Sequence, residues 1–138
     1  MGGAVSAGRD PGVIPEIRFC VATTEGPVRV DVVGLVRDPK SGQLLAVHRP
    51  LPGGGPFAVG WRASAWNGGL VVGDARAVDA ARAALRRIGR YTDRGGDFAA
   101  LLRNTEGVEN PPPPPLRREW FLLPEQRKAF DESWGAPS

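Results

Sequence analysis

The run from Asp74 to Ile88, DARAVDAARAALRRI, constrains the fold of this chain more than any other segment. It is rich in alanine, with leucine and arginine, and these residues favour a helix. Gly73-Asp74 suits an N-cap and Gly89 suits a C-terminal stop. We therefore predict a helix over residues 74–88.

With a period of about 3.6 residues, the predicted helix has two unlike faces. The apolar side collects Ala77, Val78, Ala81, Ala84, Leu85 and Ile88. The polar side collects Asp79, Arg82, Ala83, Arg86 and Arg90, with Arg87 at its edge. We expect the apolar side to pack against the protein and the arginines to face solvent, with Asp79 paired to Arg82.

Strand-like runs flank the helix in sequence. They cover residues 17–24, 28–36, 43–49 and 61–66, and a short final strand covers 119–123. Turn-forming residues at 38–42 predict a hairpin between the second and third runs. Residues 97–103 fit a strand or a short helix, and we favour the strand. Pro124 suits the first position of a helix that extends to about Glu132.

The segment from Gly68 to Gly89 also resembles the Nudix box, whose core reads R-E-U-x-E-E-x-G with U aliphatic. It aligns without a gap, with Asp74 at the first glutamate and Arg82 at the arginine. The preceding hairpin at 32–49 and the Trp66-Asn67-Gly68-Gly69 entry are similar to that family too, although Asn67 replaces a proline. So is the closing Glu119-Trp120-Phe121. The resemblance covers roughly residues 28–132.

A Nudix relationship implies an α/β (α+β) fold, a Nudix-like α/β/α sandwich with a mixed sheet. The stretch between Gly89 and Glu119 is short for the strands that the family usually has there. An abbreviated sheet with fewer strands is therefore also compatible with the sequence. Residues 15–134 form the single predicted domain, with a Gly/Pro loop at 50–60 and a polyproline spacer at 111–115. Residues 1–14 are predicted to be a flexible leader and 135–138 a tail.

The sequence departs from the family at the residues that carry its chemistry. Nudix glutamates hold the divalent metals that activate water against a pyrophosphate. Here these positions are occupied by Ala83, Arg86 and Arg87, and arginine repels a cation. We therefore expect a pseudoenzyme with no catalytic residues and no cofactor. A divergent hydrolase of nucleoside diphosphate derivatives, using Mg²⁺ or Mn²⁺ and acids outside the box, is the alternative.

The expected function is a non-catalytic binding or scaffold module, a subunit of a larger assembly. Its predicted anion- or partner-binding residues are Arg82, Arg86, Arg87 and Arg90. A protein partner is expected, and RNA or a nucleotide is a further candidate. The polyproline run is a spacer or a ligand for a partner's aromatic groove. A third interpretation is a non-Nudix α+β domain whose helix matches by chance.

Composition adds several exclusions. One cysteine, Cys20, excludes an internal disulfide and a multi-cysteine zinc site; we predict a buried strand thiol. The one histidine, His48, must serve any Ser-His or Cys-His dyad, and a structural or solvent-facing role is favoured. A net charge of +3 favours an anionic partner without establishing nucleic-acid binding. No membrane span is predicted, so we expect a soluble intracellular protein of the cytoplasm or an organelle matrix.

Overall fold

The computed structural model describes residues 12–50 and 60–134. Of the predicted leader, loop and tail, residues 1–11, 51–59 and 135–138 lie outside this range. The described chain contains both helices and antiparallel sheets, which confirms the predicted α+β class. Ile14, assigned by the sequence to the leader, is buried, and its amide donates a hydrogen bond to the carbonyl oxygen of Val32 over 2.8 Å.

The described strands and helices occur in a simple order along the chain. The strands are β1 (Phe19–Thr23), β2 (Gly26–Val30), β3 (Val32–Arg37), β4 (Leu44–His48), β5 (Trp61–Ala65) and β6 (Leu70–Asp74). The helices are α1 (Ala77–Asp93), α2 (Phe98–Asn104) and α3 (Pro124–Ala129). A 3₁₀ turn at Arg118–Trp120 precedes α3, and a π-helical turn at Phe130–Trp134 follows it.

The described strands form two antiparallel sheets. β1 pairs with β2, and β3 to β6 form a second sheet in sequence order. The single strand predicted over 28–36 is wrong, because the chain changes sheets at the exposed Asp31. Val30 pairs with Phe19 in the hairpin, whereas Val32 pairs with His48 in the larger sheet.

The predicted hairpin at residues 38–42 is confirmed as the β3–β4 connection. The Asp38 carboxylate accepts hydrogen bonds from the Ser41 amide at 2.8 Å and the Ser41 hydroxyl at 2.6 Å. Gly42 follows with a φ of 76°, a value that glycine adopts with little strain. Local turn chemistry therefore determines this connection.

Alternating side chains place the larger sheet between two layers. In β4, Leu45 and Val47 pack with α1, whereas Ala46 lies on the opposite face with Phe19 and Val21 of the β1–β2 hairpin. Period-two alternation gives each strand these two faces. The sheet thus separates α1 from a second layer, the hairpin layer, which is built by β1 and β2 with Trp120 and Phe121.

Helix α1 differs from the prediction at both ends. Residues 70–74 form β6, paired with β5, so α1 begins only after Arg76, and the proposed Asp74 N-cap is wrong. The helix then continues through Gly89 to Asp93. Gly95, whose φ is 90°, lies in the turn that follows this end of the helix. The amides of Gly95 and Gly96 donate to the carbonyl oxygens of Thr92 and Tyr91, each at 2.9 Å, which is the Schellman arrangement.

The strands predicted after α1 are also corrected. The strand predicted over 97–103 is wrong, because the Asp97 side chain accepts a hydrogen bond from the Ala100 amide at 3.1 Å and so caps helix α2. The strand predicted over 119–123 is reduced to one parallel bridge between Phe121 and Leu35, preceded by the 3₁₀ turn. Pro124 begins α3 as expected.

The polyproline segment lies against the hairpin layer. The indole Nε1 of Trp66 donates a hydrogen bond to the carbonyl oxygen of Pro111 over 3.0 Å. Asn110, immediately before the prolines, bonds to the backbone of Cys20 in β1. None of the helices in the described ranges combines the length and apolar character that crossing a bilayer requires.

Candidate functional site

The two faces of α1 behave largely as its sequence predicts. Ala77, Ala80, Ala81, Ala84 and Ile88 are buried against the sheet. The opposite side exposes Arg82, Arg86, Arg87 and Arg90 to solvent. Val78, which was predicted to be buried, is 38% exposed. Ala80 is buried, although it was not among the residues predicted for the apolar side. The alanine face lets α1 lie close to the sheet, and the arginines are thereby held outward.

Arg82 is neutralised by an acid from another helix. Its guanidinium donates to Glu125 of α3 over 2.8 Å, and both side chains are largely exposed. This hydrogen bond is the main cause that lowers the pKa of the Glu125 carboxyl. The pair links α1 to α3 and removes Arg82 from the set of uncompensated charges.

The predicted ion pair between Asp79 and Arg82 is wrong. Asp79 pairs instead with Arg76, the residue before the first turn of α1, with 2.6 Å between Nε and Oδ2. The hydrogen bond from Arg76 is the largest cause that lowers the pKa of the Asp79 carboxyl, and the charges of Arg76, Arg86 and Arg82 lower it further.

Arg86, Arg87 and Arg90 are the other exposed arginines of α1, and we call them its cationic face. Within residues 12–50 and 60–134, none of these three side chains makes an ion pair or a side-chain hydrogen bond. Arg86 and Arg90 are one helical turn apart, a spacing at which like charges repel by about 0.2–0.5 kcal/mol. Arg90 also lies in the last turn, where the helix dipole favours a cation.

The residues at the box positions do not form a carboxylate cluster. Asp74 ends β6, and its carboxylate accepts a hydrogen bond from the next amide, Ala75, at 2.6 Å. Ala83 is half-buried beside the exposed Arg86 and Arg87. Across the part of the chain that the structure describes, no group of three or more His, Cys, Asp or Glu side chains is placed to hold a metal ion.

A buried Ser-His pair lies on the sheet face opposite α1, and its serine was not identified from the sequence. The side chain of His48 in β4 places Nδ1 2.7 Å from the carbonyl oxygen of Arg49 and Nε2 2.8 Å from the hydroxyl of Ser64 in β5. A carbonyl oxygen only accepts, so Nδ1 carries the proton and Ser64 donates to Nε2. Burial is the main cause that lowers the pKa of His48, and the charge of Arg62 lowers it further.

This pair has the hydrogen bonding of a nucleophile and its base but lacks access to solvent. His48 is 3% exposed and Ser64 is 1% exposed. An activated serine has to reach a substrate carbonyl, and here both side chains lie inside the core. The pair therefore serves to satisfy buried polar groups between β4 and β5.

Cys20 is half-buried in β1, close to the predicted buried strand thiol. Its backbone is held by Asn110, whose Oδ1 accepts from the Cys20 amide at 2.7 Å and whose Nδ2 donates to the Cys20 carbonyl oxygen at 3.0 Å. The same amide nitrogen donates to the carbonyl oxygen of Trp66 at 2.8 Å. Cys20 thus belongs to the junction that fixes the polyproline segment.

Comparison of the chain with protein-family models, with curated proteins and with solved structures finds no match in any of the three. Function therefore has to be inferred from the residues themselves. Among the described surfaces, the cationic face of α1 combines a helix packed against the sheet with three exposed arginines.

Proposed function

We propose that this chain is a non-catalytic, Nudix-like binding module, a subunit of a larger assembly, that takes an anionic partner on the cationic face of α1. The observation that carries the proposal is the lack of ion-pair partners for Arg86, Arg87 and Arg90 within the described ranges, on a helix whose other face is packed against a sheet. Arginine offers five donors in a planar fork that matches phosphate and carboxylate oxygens.

The rigidity of α1 supports the binding role. Its alanine face contacts all four strands of the larger sheet, and the Schellman turn at Gly95 fixes its C-terminal end. Arginines on a fixed helix lose less conformational freedom on binding than arginines on a loop. The face is therefore pre-organised for an anion.

The Nudix-like part of the proposal is supported by the order of elements. A β3–β4 hairpin comes before α1, and a parallel bridge at Phe121 and helix α3 follow it. The residues at the metal-binding positions of the box are Ala83, Arg86 and Arg87, which favours a role in binding rather than in hydrolysis.

Charge reversal tests the proposed site. We would titrate a fluorescent single-stranded RNA, and separately polyglutamate, with wild type and with the double variant Arg86→Glu/Arg90→Glu. The control is Arg18→Glu/Arg29→Glu, which changes the net charge equally at exposed positions in and beside the hairpin layer. The proposal expects the α1 variant to lose at least tenfold in affinity and the control to lose much less. Equal losses in both variants would show non-specific attraction and reject the site, as would no binding of either polyanion.

A further inference from the structure

An open apolar pocket lies beside the cationic face, between α1, α2 and the β5–β6 turn. Its volume is about 380 Å³, within the range of small-molecule sites. Buried apolar side chains form its floor: Ala65, Ile88 and Phe98, with the partly buried Leu102. Burial of an apolar group on this floor is favourable at about 25 cal/mol per Å².

The pocket's outer wall is apolar but exposed. Tyr91 is 38% exposed and Leu101 is 41% exposed, and both line the cavity. The Tyr91 ring packs closely against the backbone of Gly96, where any Cβ would clash with the ring. Large apolar side chains that are fixed at the edge of a cavity present a surface that a ligand can cover.

The charged and polar groups at the pocket favour an anion. Arg87 lines it, and no acidic residue of the described chain does so. Asn67 also lines it; its Oδ1 accepts from the Gly69 amide at 3.0 Å. That bond orients the Asn67 amide, whose nitrogen makes no hydrogen bond to the residues that the structure describes. Two donors with unused capacity, Arg87 and Asn67, therefore border an apolar floor.

We infer that this pocket binds a small amphipathic anion, with its apolar body on the Phe98 floor and its anionic head at Arg87. This inference goes beyond the proposed function, since it concerns a small ligand rather than the macromolecular partner. The two sites share only Arg87. Occupancy of the pocket would place the ligand's charge beside Arg86 and Arg90, so the small anion would weaken polyanion binding.

The probes are octanoate and its neutral counterpart 1-octanol, titrated against the full chain by amide chemical-shift mapping. Octanoate should saturate, bind about tenfold more tightly than octanol, and shift amides of the α1–α2 connection and the β5–β6 turn. Arg87→Gln should reduce octanoate affinity about tenfold, to the level of octanol, because a charge-assisted hydrogen bond is lost. Equal affinities of the two probes, or no saturable octanoate binding, would overturn the inference.

A blocking variant separates the pocket from the polyanion site. Thr105→Trp places a large ring at an exposed position that lines the cavity, and Asn104→Trp is the control at the adjacent exposed position, which does not line it. Thr105→Trp should lose octanoate and keep RNA, whereas the neutral variant Arg86→Gln/Arg90→Gln should lose RNA and weaken octanoate much less, because Arg87 and the apolar floor remain. If Thr105→Trp and Asn104→Trp bind octanoate as wild type does, the pocket is not the site.

Discussion

Arg82 of α1 and Glu125 of α3 form an ion pair with 2.8 Å between Nη1 and Oε2, although they are far apart in the sequence. Of the four arginines on the solvent face of α1, this contact neutralises Arg82, whereas the other three make no ion pair with the residues that the structure describes. The anion-binding proposal rests on the three others, Arg86, Arg87 and Arg90. Glu125 in turn limits how far the cationic face extends.

Glu125→Gln should therefore enlarge the face. With Arg82 released, RNA affinity should rise two- to fivefold. The slope of log K against log salt concentration should steepen by about 0.7, because one more phosphate is neutralised. The ion pair is exposed and screened by solvent, so the free energy of unfolding should fall by less than about 1 kcal/mol. Glu109→Gln, which removes the same charge at an exposed position outside α1, is the control, and an equal gain there would contradict the prediction.

Gly89 lies inside α1 and Gly95 lies in the turn after it, so alanine should have opposite effects at these two glycines. A Cβ at Gly89 or at Gly95 meets nothing within 4 Å. Gly89→Ala should raise the free energy of unfolding by about 0.5–1 kcal/mol, because Gly89 lies inside α1. Gly95→Ala should lower it by roughly 1–2 kcal/mol, since its φ of 90° strains an L-residue. Urea unfolding measures both, and a destabilised Gly89→Ala would mean that the helix ends there.

His48 makes stability depend on pH in a defined window. Its folded-state pKa is lowered, mainly by burial, so the unfolded chain binds the proton more readily. The stabilisation is present above the unfolded pKa of about 6.5 and is lost as the pH falls towards the folded pKa. The free energy of unfolding should thus decrease from pH 7 to pH 5. His48 is the only histidine, so His48→Gln should flatten this slope, and an unchanged slope would reject the assignment.

Asn110 should be the most important polar side chain of the hairpin layer. It makes three hydrogen bonds, to the Cys20 amide, the Cys20 carbonyl oxygen and the Trp66 carbonyl oxygen. Asn110→Ala should reduce the free energy of unfolding by about 1–3 kcal/mol, because partly buried backbone groups lose their partners. Asn104→Ala, at an exposed helix end, should change it by less than about 0.5 kcal/mol. Equal effects would show that the junction contributes little.

Features set by local chemistry could be predicted from the sequence. The β3–β4 hairpin follows from the turn residues at 38–42, and the position of Pro124 follows from its fixed φ. The buried and exposed faces of α1 follow from its period, because alanine and arginine differ so strongly in their affinity for water. The exposed arginines of α1 could therefore be predicted from the sequence, whereas the ion pair that neutralises Arg82 could not.

Features set by distant partners could not be predicted. Leu70–Asp74 becomes a strand only because β5 supplies its hydrogen bonds, and Ser64 reaches His48 only through the β4–β5 register. Arg82 contacts Glu125 because α3 is held beside β3, where the Gln126 side chain bonds to the backbone of Arg37, so its neutralisation has no signal in the sequence. Helix α2 was not predicted, although the sequence contains a local signal for it. Asp97 precedes an apolar run, which is typical of a helix N-cap.

The salt dependence of RNA binding tests the central claim most directly. If Arg86, Arg87 and Arg90 each neutralise one phosphate, the slope of log K against log salt concentration should be about −2, at about 0.7 for each phosphate of a single strand. In Arg86→Gln/Arg90→Gln the slope should fall to about −0.7, with the fold intact by circular dichroism. A flat response in the wild type, or the same slope in both proteins, would contradict the account.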